Sequence, residues 1–191
     1  MIQKLLMTTG VDAALITDPY NMRYISGFRG GEGTLYISGE SRVLITDSRY
    51  TEAAGKESSF TVKECNRHHS TTDILKELIE AEAVQKLGYE DASMLCRTFH
   101  DYQQKLAMVQ QWVPLGEEVR KLRQIKKEEE LTCLRQAERI GDLAFSKILD
   151  VIRPGITEKE VRMELEYQMM KQGADGTSFD TIVASGIHSS V

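Results

Sequence analysis

Thr34-Leu35-Tyr36-Ile37-Ser38-Gly39-Glu40-Ser41-Arg42-Val43-Leu44-Ile45-Thr46 decides the architecture of the first part of the chain. Two runs rich in β-branched and aromatic residues flank Gly39-Glu40-Ser41. A short polar break between two strand-like runs reads as a tight hairpin, so two neighbouring strands are antiparallel. Working outwards, residues 13–17 form an apolar run ending in Asp18-Pro19, which reads as a buried strand stopped by a turn. Residues 60–64 and 86–90 read as further strands, and 112–114 as a short extended piece. Residues 1–7, 48–56, a segment from Thr72 onwards, and 93–108 read as helices between them. In the segment from Thr72, Ile74, Leu75, Leu78 and Ile79 recur at helical spacing, with Asp73, Lys76, Glu77 and Glu80 on the other side. Strands alternating with helices predict an α/β layer structure, and the hairpin makes its sheet mixed instead of purely parallel.

Beyond this region the pattern changes. Leu131, Leu134, Ala137, Ile140, Ala144, Phe145, Ile148 and Ile152 recur every three or four residues, so residues 126–152 read as one amphipathic helix. Arg153-Pro154-Gly155 is expected to end it, because proline has no N–H to donate and clashes with the preceding turn. Thr157 and Glu160 form a capping box, with Ile156 and Val161 as the hydrophobic staple, and Gly173 closes the helix they open. Residues 179–184 read as a strand. A lone strand cannot satisfy its own backbone groups, so the second region is expected to be an incomplete domain.

Composition narrows the function classes. The chain has 191 residues, 24 Lys plus Arg against 29 Asp plus Glu, and a formal net charge of −5. A mildly acidic chain without a dense basic block is a poor binder of the phosphate backbone, so no nucleic-acid partner is expected. No apolar run approaches the ~18–20 residues that span a bilayer, and no membrane partner is expected either. Cys65, Cys96 and Cys133 are odd in number and contain no C-x-x-C, which points to reduced thiols and a cytoplasmic location.

The residues offer little chemistry. His68 and His69 are adjacent, so on a strand their rings face opposite ways, and no H-x-x-x-H or Cys/His cluster accompanies them. They read as a solvent-facing loop pair, and His100 reads similarly. None of the cysteines has the context of a nucleophile. Gly30-Gly31-Glu32-Gly33 lacks both the Lys-Ser/Thr of a P-loop and the G-x-G-x-x-G spacing. It reads as a tight strand approach rather than an anion cradle.

Read together, several segments resemble one family. Tyr20-Asn21-Met22-Arg23-Tyr24-Ile25-Ser26-Gly27-Phe28 resembles the N-x-R-Y-x-x-G-F segment of Xaa-Pro aminopeptidases and prolidases, and Asp47-Ser48-Arg49-Tyr50 resembles their D-x-R-Y. Leu122-Arg123-Gln124-Ile125-Lys126, with Glu129 or Glu130 and Leu134-Arg135-Gln136-Ala137, is similar to the start of the catalytic domain. Gly155-Ile156-Thr157-Glu158 and Phe179-Asp180-Thr181-Ile182-Val183-Ala184-Ser185-Gly186 are similar to G-x-T-E and F-D-x-I-V-A-S-G. Each is weak singly, but their order holds over essentially the whole chain.

The resemblance implies an α/β creatinase-like N-terminal domain at residues 1–122, a mixed sheet flanked by helices. It implies that residues 123–191 are the incomplete beginning of a pita-bread α+β catalytic domain, contributing two helices and a strand. The whole protein is then expected to be a metallopeptidase and a homodimer that cleaves proline-containing peptides. Two divalent ions, Mn²⁺ foremost and Co²⁺ or Zn²⁺ as alternatives, would activate a bridging water. The family's five ligands map onto nothing in this chain, which reaches Val191 where a P-H pair is expected next. The chain alone is therefore expected to be inactive. His188 occupies a variable position, and Asp180 is not a family ligand. The substrate-pocket candidates are Phe179, beside the first subsite, and Arg29 and Glu32, on a loop that would cap a neighbouring subunit's cleft. The competing readings are a non-catalytic peptidase-like binding module and a creatinase-type amidinohydrolase.

Overall fold

The computed structural model describes residues 2–190; Met1 and Val191, which belong to the readings above, lie outside the described residues. The chain divides into two compact units, Met1–Ile125 and Lys126–Val191.

The first unit is built on six strands: β1 (Ala13–Ile16), β2 (Thr34–Ser38), β3 (Arg42–Asp47), β4 (Thr61–Cys65), β5 (Lys86–Tyr89) and β6 (Gln111–Pro114). They lie in the order β4-β3-β2-β1-β5-β6. The β2–β3 and β1–β2 pairs are antiparallel, while β3–β4, β1–β5 and β5–β6 are parallel. The sheet is thus mixed, as the hairpin predicts. The hairpin turn is the one the sequence indicates. Ile37 pairs with Arg42, Gly39-Glu40-Ser41 connect the two strands, and the Ser38 N–H donates to the Ser41 carbonyl at 2.9 Å across the turn. The Ser38 hydroxyl accepts the Ser41 N–H at 2.8 Å and the Glu40 N–H at 3.1 Å, which replaces ladder bonds missing at the tip.

Period-two alternation sends successive side chains to opposite faces. Ala14, Ile16, Leu35, Ile37 and Leu44 enter one core layer, and Ala13, Leu15, Tyr36, Val43 and Ile45 enter the other. Helices α1 (Ile2–Thr9), α2 (Pro19–Ser26) and α3 (Thr51–Glu57), with α6 (Glu118–Gln124), supply Leu5, Met22, Ala54 and Val119 to the first layer. Helices α4 (Thr71–Ala81) and α5 (Cys96–Lys105) supply Ile74, Leu75, Ile79 and Tyr102 to the second. Each fully buried Leu or Ile contributes about 1.5–3 kcal/mol, so a sheet covered on both sides is what holds this unit together.

Two helices differ from the sequence reading. Asp18-Pro19, read as a stop, is the start of α2: the Asp18 carboxylate accepts the Asn21 N–H at 2.9 Å, and proline occupies the first turn, where its missing N–H is no loss. Helix α6 has no counterpart in the sequence reading, because its Glu118-Val119-Arg120-Lys121-Leu122-Arg123-Gln124 sequence has only two apolar residues. Its stability comes from packing Val119 and Leu122 on the first layer.

In the second unit α7 (Glu128–Ile148) and α8 (Glu158–Lys171) pack against each other. Helix α7 ends at Ile148, a turn before Arg153-Pro154-Gly155. The capping box of α8 is present: the Thr157 hydroxyl accepts the Glu160 N–H at 3.2 Å, and the Glu160 carboxylate accepts the Thr157 N–H at 2.8 Å. Gly173 follows α8 with φ 99°, a left-handed stop. The strand expected at 179–184 is not formed. The segment runs without regular structure, because a strand exists only by pairing and this unit has no other strand among its described residues. Ala144, Ile148 and Val161 are buried, whereas Leu134 and Phe145 of α7 and Ile152 beyond its end are exposed.

Candidate functional site

The candidates Arg29 and Glu32 lie on one loop, residues 27–33, between α2 and β2 at the end of the sheet where β1, β3 and β5 terminate. The loop is anchored at both ends. Phe28 is fully buried and meets the Tyr50 ring edge-on at 6.3 Å. Gly33 has φ 149°, and a Cβ there would sit 2.7 Å from the Ile45 carbonyl oxygen. The glycine thus permits the close strand approach read from the sequence. The Thr46 hydroxyl donates to the Glu32 carbonyl at 2.8 Å, fastening the loop to β3.

Arg29 is exposed and held by Glu57. Its backbone N–H donates to Glu57 at 2.9 Å and its guanidinium at 3.1 Å. The backbone N–H is the foremost reason that the Glu57 carboxyl lies below the usual carboxylate range, with the guanidinium adding to it. The adjacent D-x-R-Y segment forms a second charge pair. Asp47 binds Arg49 through two guanidinium nitrogens, at 3.0 and 2.7 Å, and Arg49 lies over the Tyr50 ring at 5.1 Å. The Arg49 side chain holds the Asp47 carboxyl low, and Asp47 in turn raises Arg49. Glu32 is exposed and its charge also reaches Arg49. This rim can attract charged chain ends by electrostatics; it contains no nucleophile paired with a base.

Phe179, the third candidate, belongs to the second unit and is 72% exposed. It lines an open groove of about 1330 Å³ together with Leu134, Phe145, Leu165, Met169 and Ile182. In the same unit Glu158 clasps the segment that follows. It accepts the Ser185 N–H at 2.7 Å and lies 3.3 Å from His188 Nδ1. The Ser185 N–H is the main cause of its lowered pKa. His69 pairs with Glu77 at 2.9 Å, and His68 and His100 are exposed. Among the described residues no three His, Cys, Asp or Glu side chains could hold a metal ion. The described residues therefore do not provide the ligand set of a dinuclear centre.

Sequence reasoning passed over a buried carboxylate with several partners in the first unit. Glu90, only 6% exposed, follows β5 and accepts the N–H groups of Thr17 and Asp18 at 2.6 and 2.8 Å. It also accepts the Asn21 side-chain amide at 2.6 Å, and Asn21 accepts Arg123 at 2.9 Å. One turn along α2, the Tyr24 hydroxyl donates to the Leu122 carbonyl at 2.8 Å. The available signal was a carboxylate directly after the apolar strand Lys86-Leu87-Gly88-Tyr89. The Asn21, Tyr24, Leu122 and Arg123 positions of the family-like segments meet at this point.

The family model for the Creatinase/Prolidase N-terminal domain matches residues 1–125. The chain belongs to this family. Residues 132–191 match metallopeptidase family M24. A Bacillus subtilis relative, uncharacterized peptidase YqhT, is 40% identical over 191 residues, which is 100% of this chain and 53% of the relative. The creatinase/prolidase fold is shared with solved structures. The X-Pro aminopeptidase from Thermotoga maritima is 34% identical with a TM-score of 0.88, covering 98% of this chain and 54% of its own. The Xaa-Pro dipeptidase from Bacillus anthracis is 34% identical with a TM-score of 0.90, covering 98% and 53%. The chain thus spans about half the length of the relatives it matches. Among the described residues, no helix is long and apolar enough to cross a membrane.

Proposed function

We propose that these 191 residues are the front part of a metal-dependent Xaa-Pro peptidase that hydrolyses the peptide bond before proline. The observation that carries this reading is the succession of two family matches, the creatinase/prolidase N-terminal domain at 1–125 and M24 at 132–191. The domain limits of the proposal are residues 1–122 and 123–191. Two divalent ions, Mn²⁺ foremost, are bound by residues outside this chain in this reading. The chain alone is inactive in this reading.

The loop carrying Arg29 and Glu32 closes over the cleft of a second subunit in a cytoplasmic homodimer, where the two charges meet the charged ends of a short peptide. Phe179 lines the pocket for the residue before proline. Exposure of all three side chains is compatible with such contacts.

Assays of the whole protein and of the 191-residue chain on a proline-containing dipeptide and tripeptide, with Mn²⁺, test this. The whole protein is expected to turn over and to lose activity with a chelator, while the chain alone shows none. Turnover by the isolated chain, or a metal-independent whole protein, sinks the reading.

A further inference from the structure

We propose that Glu90, Asn21 and Arg123 form a polarity relay that locks α6 to the carboxyl end of the sheet. The proposal does not depend on the peptidase reading. β1 and β5 are parallel neighbours, with Ala14 opposite Gly88 and Leu15 opposite Tyr89. From them the sheet continues in opposite directions, to β2 on one side and β6 on the other. Such a switch point opens a crevice outside the carboxyl ends of the strands. There Glu90 Oε2 accepts the Thr17 and Asp18 N–H groups at 2.6 and 2.8 Å.

The remaining oxygen of Glu90 sets the next link. An ionised carboxylate only accepts hydrogen bonds, and a guanidinium only donates them. The side-chain amide of Asn21 lies between the two, with Nδ2 2.6 Å from Glu90 Oε1 and Oδ1 2.9 Å from Arg123 Nη1. An amide has one donating and one accepting end. Both neighbours therefore demand the same orientation, and neither can be reversed without turning a bond into a donor–donor or acceptor–acceptor contact. Glu90 and Arg123 do not bond each other, yet each fixes what the other meets. Packing of Val119 and the half-buried Leu122 holds one side of α6 to the first core layer, and the polar contacts hold the other. The Tyr24 hydroxyl on the Leu122 carbonyl, at 2.8 Å, is the second fastening.

Two further carboxylates lie near Glu90. Asp18, on the α2 cap, faces Glu90 and disfavours its charge. Asp91 is turned away and accepts the Gly116 N–H at 2.8 Å. Arg123 reaches Glu90 only through Asn21.

The relay predicts a rescue. In Glu90→Gln the amide oxygen can keep Thr17 and Asp18, but its nitrogen then faces the nitrogen of Asn21. In Asn21→Asp two carboxylates face each other. In the double variant the amide nitrogen introduced by Glu90→Gln donates to the carboxylate introduced by Asn21→Asp. That carboxylate still accepts Arg123, so the polarity is restored. Amide hydrogen exchange of residues 118–124 in the 191-residue chain reads the outcome. Each single variant is expected to exchange about tenfold faster, the size of one lost charge-assisted bond. The double variant is expected to return to within about threefold of the parent. If a single variant does not fold, the double variant decides alone, and a folded chain with parent-like α6 exchange supports the relay. A double variant that is unfolded, or that exchanges as the product of the two single effects, overturns it. So does parent-like exchange in Glu90→Gln alone.

Discussion

The Tyr36 hydroxyl donates to the Glu82 carboxylate at 2.7 Å, joining the middle of β2 to the end of α4 across the second core layer. Tyr36 is fully buried, and burial, with the neighbouring carboxylate next, raises its pKa. Removing the hydroxyl in Tyr36→Phe leaves the ring packed and deletes one charge-assisted bond. A loss of about 1–2 kcal/mol is expected in urea unfolding followed by fluorescence of the single tryptophan, Trp112. An unchanged midpoint would show that water replaces the hydroxyl fully.

Glu90 gives a pH dependence of defined sign. Burial is the largest influence and raises its pKa, although the N–H groups of Asp18 and Thr17 and the amide of Asn21 oppose it. The native state therefore holds this proton more tightly than the unfolded chain does. Its contribution is fully present below the unfolded value, about 4.3, and declines as pH rises through the folded value. Glu90→Gln is expected to flatten that decline in unfolding free energy, measured from about pH 4 to about pH 8. An identical slope in the parent and the variant refutes the assignment.

Glu57 behaves in the opposite sense. Its folded pKa is lowered, so its contribution is present above the unfolded value and is lost as pH falls through the folded one. The backbone N–H of Arg29 is the leading cause and survives in Arg29→Ala. A carboxyl titration by NMR should then find Glu57 still depressed in Arg29→Ala, though less than in the parent. Full return to the ordinary value would show that the guanidinium dominates.

Gly33 tests the loop that carries the two charged candidates. Its φ of 149° and the 2.7 Å approach of an added Cβ to the Ile45 carbonyl leave no room for a side chain. Gly33→Ala is expected to destabilise the first unit by about 1–3 kcal/mol, by local strain. Trp112-monitored unfolding measures it, and a neutral result would mean the loop moves freely away from β3.

In the second unit Thr157→Ala removes the N-cap of α8, whose hydroxyl accepts the Glu160 N–H at 3.2 Å. About 1 kcal/mol of helix stability should be lost. Faster hydrogen exchange in the first turn of α8, with no change in the first unit, is the expected signature; unchanged exchange there refutes the cap's contribution.

The candidate site was legible only in part. Arg29 and Glu32 follow from a segment resemblance, but their surroundings do not. That Glu57 holds Arg29 depends on how α3 returns to the loop after the hairpin, 28 residues later. Glu90 is silent in the sequence for a similar reason: its partners Thr17, Asp18 and Asn21 lie 69–73 residues away in the chain.

By itself the sequence determined the β2–β3 hairpin, the two-faced sheet, and the capping box of α8, because each is written in neighbouring residues. Alternation sets the faces of a strand, and a hydroxyl three residues before a carboxylate sets a cap. It also determined membership of the creatinase/prolidase family through the order of its segments. Only the tertiary structure decided that Asp18-Pro19 starts a helix, that α6 forms, and that residues 179–184 make no strand. The physical reason is that a turn and a helix start share the same residues, while a weak helix and a lone strand take their stability from partners distant in the chain.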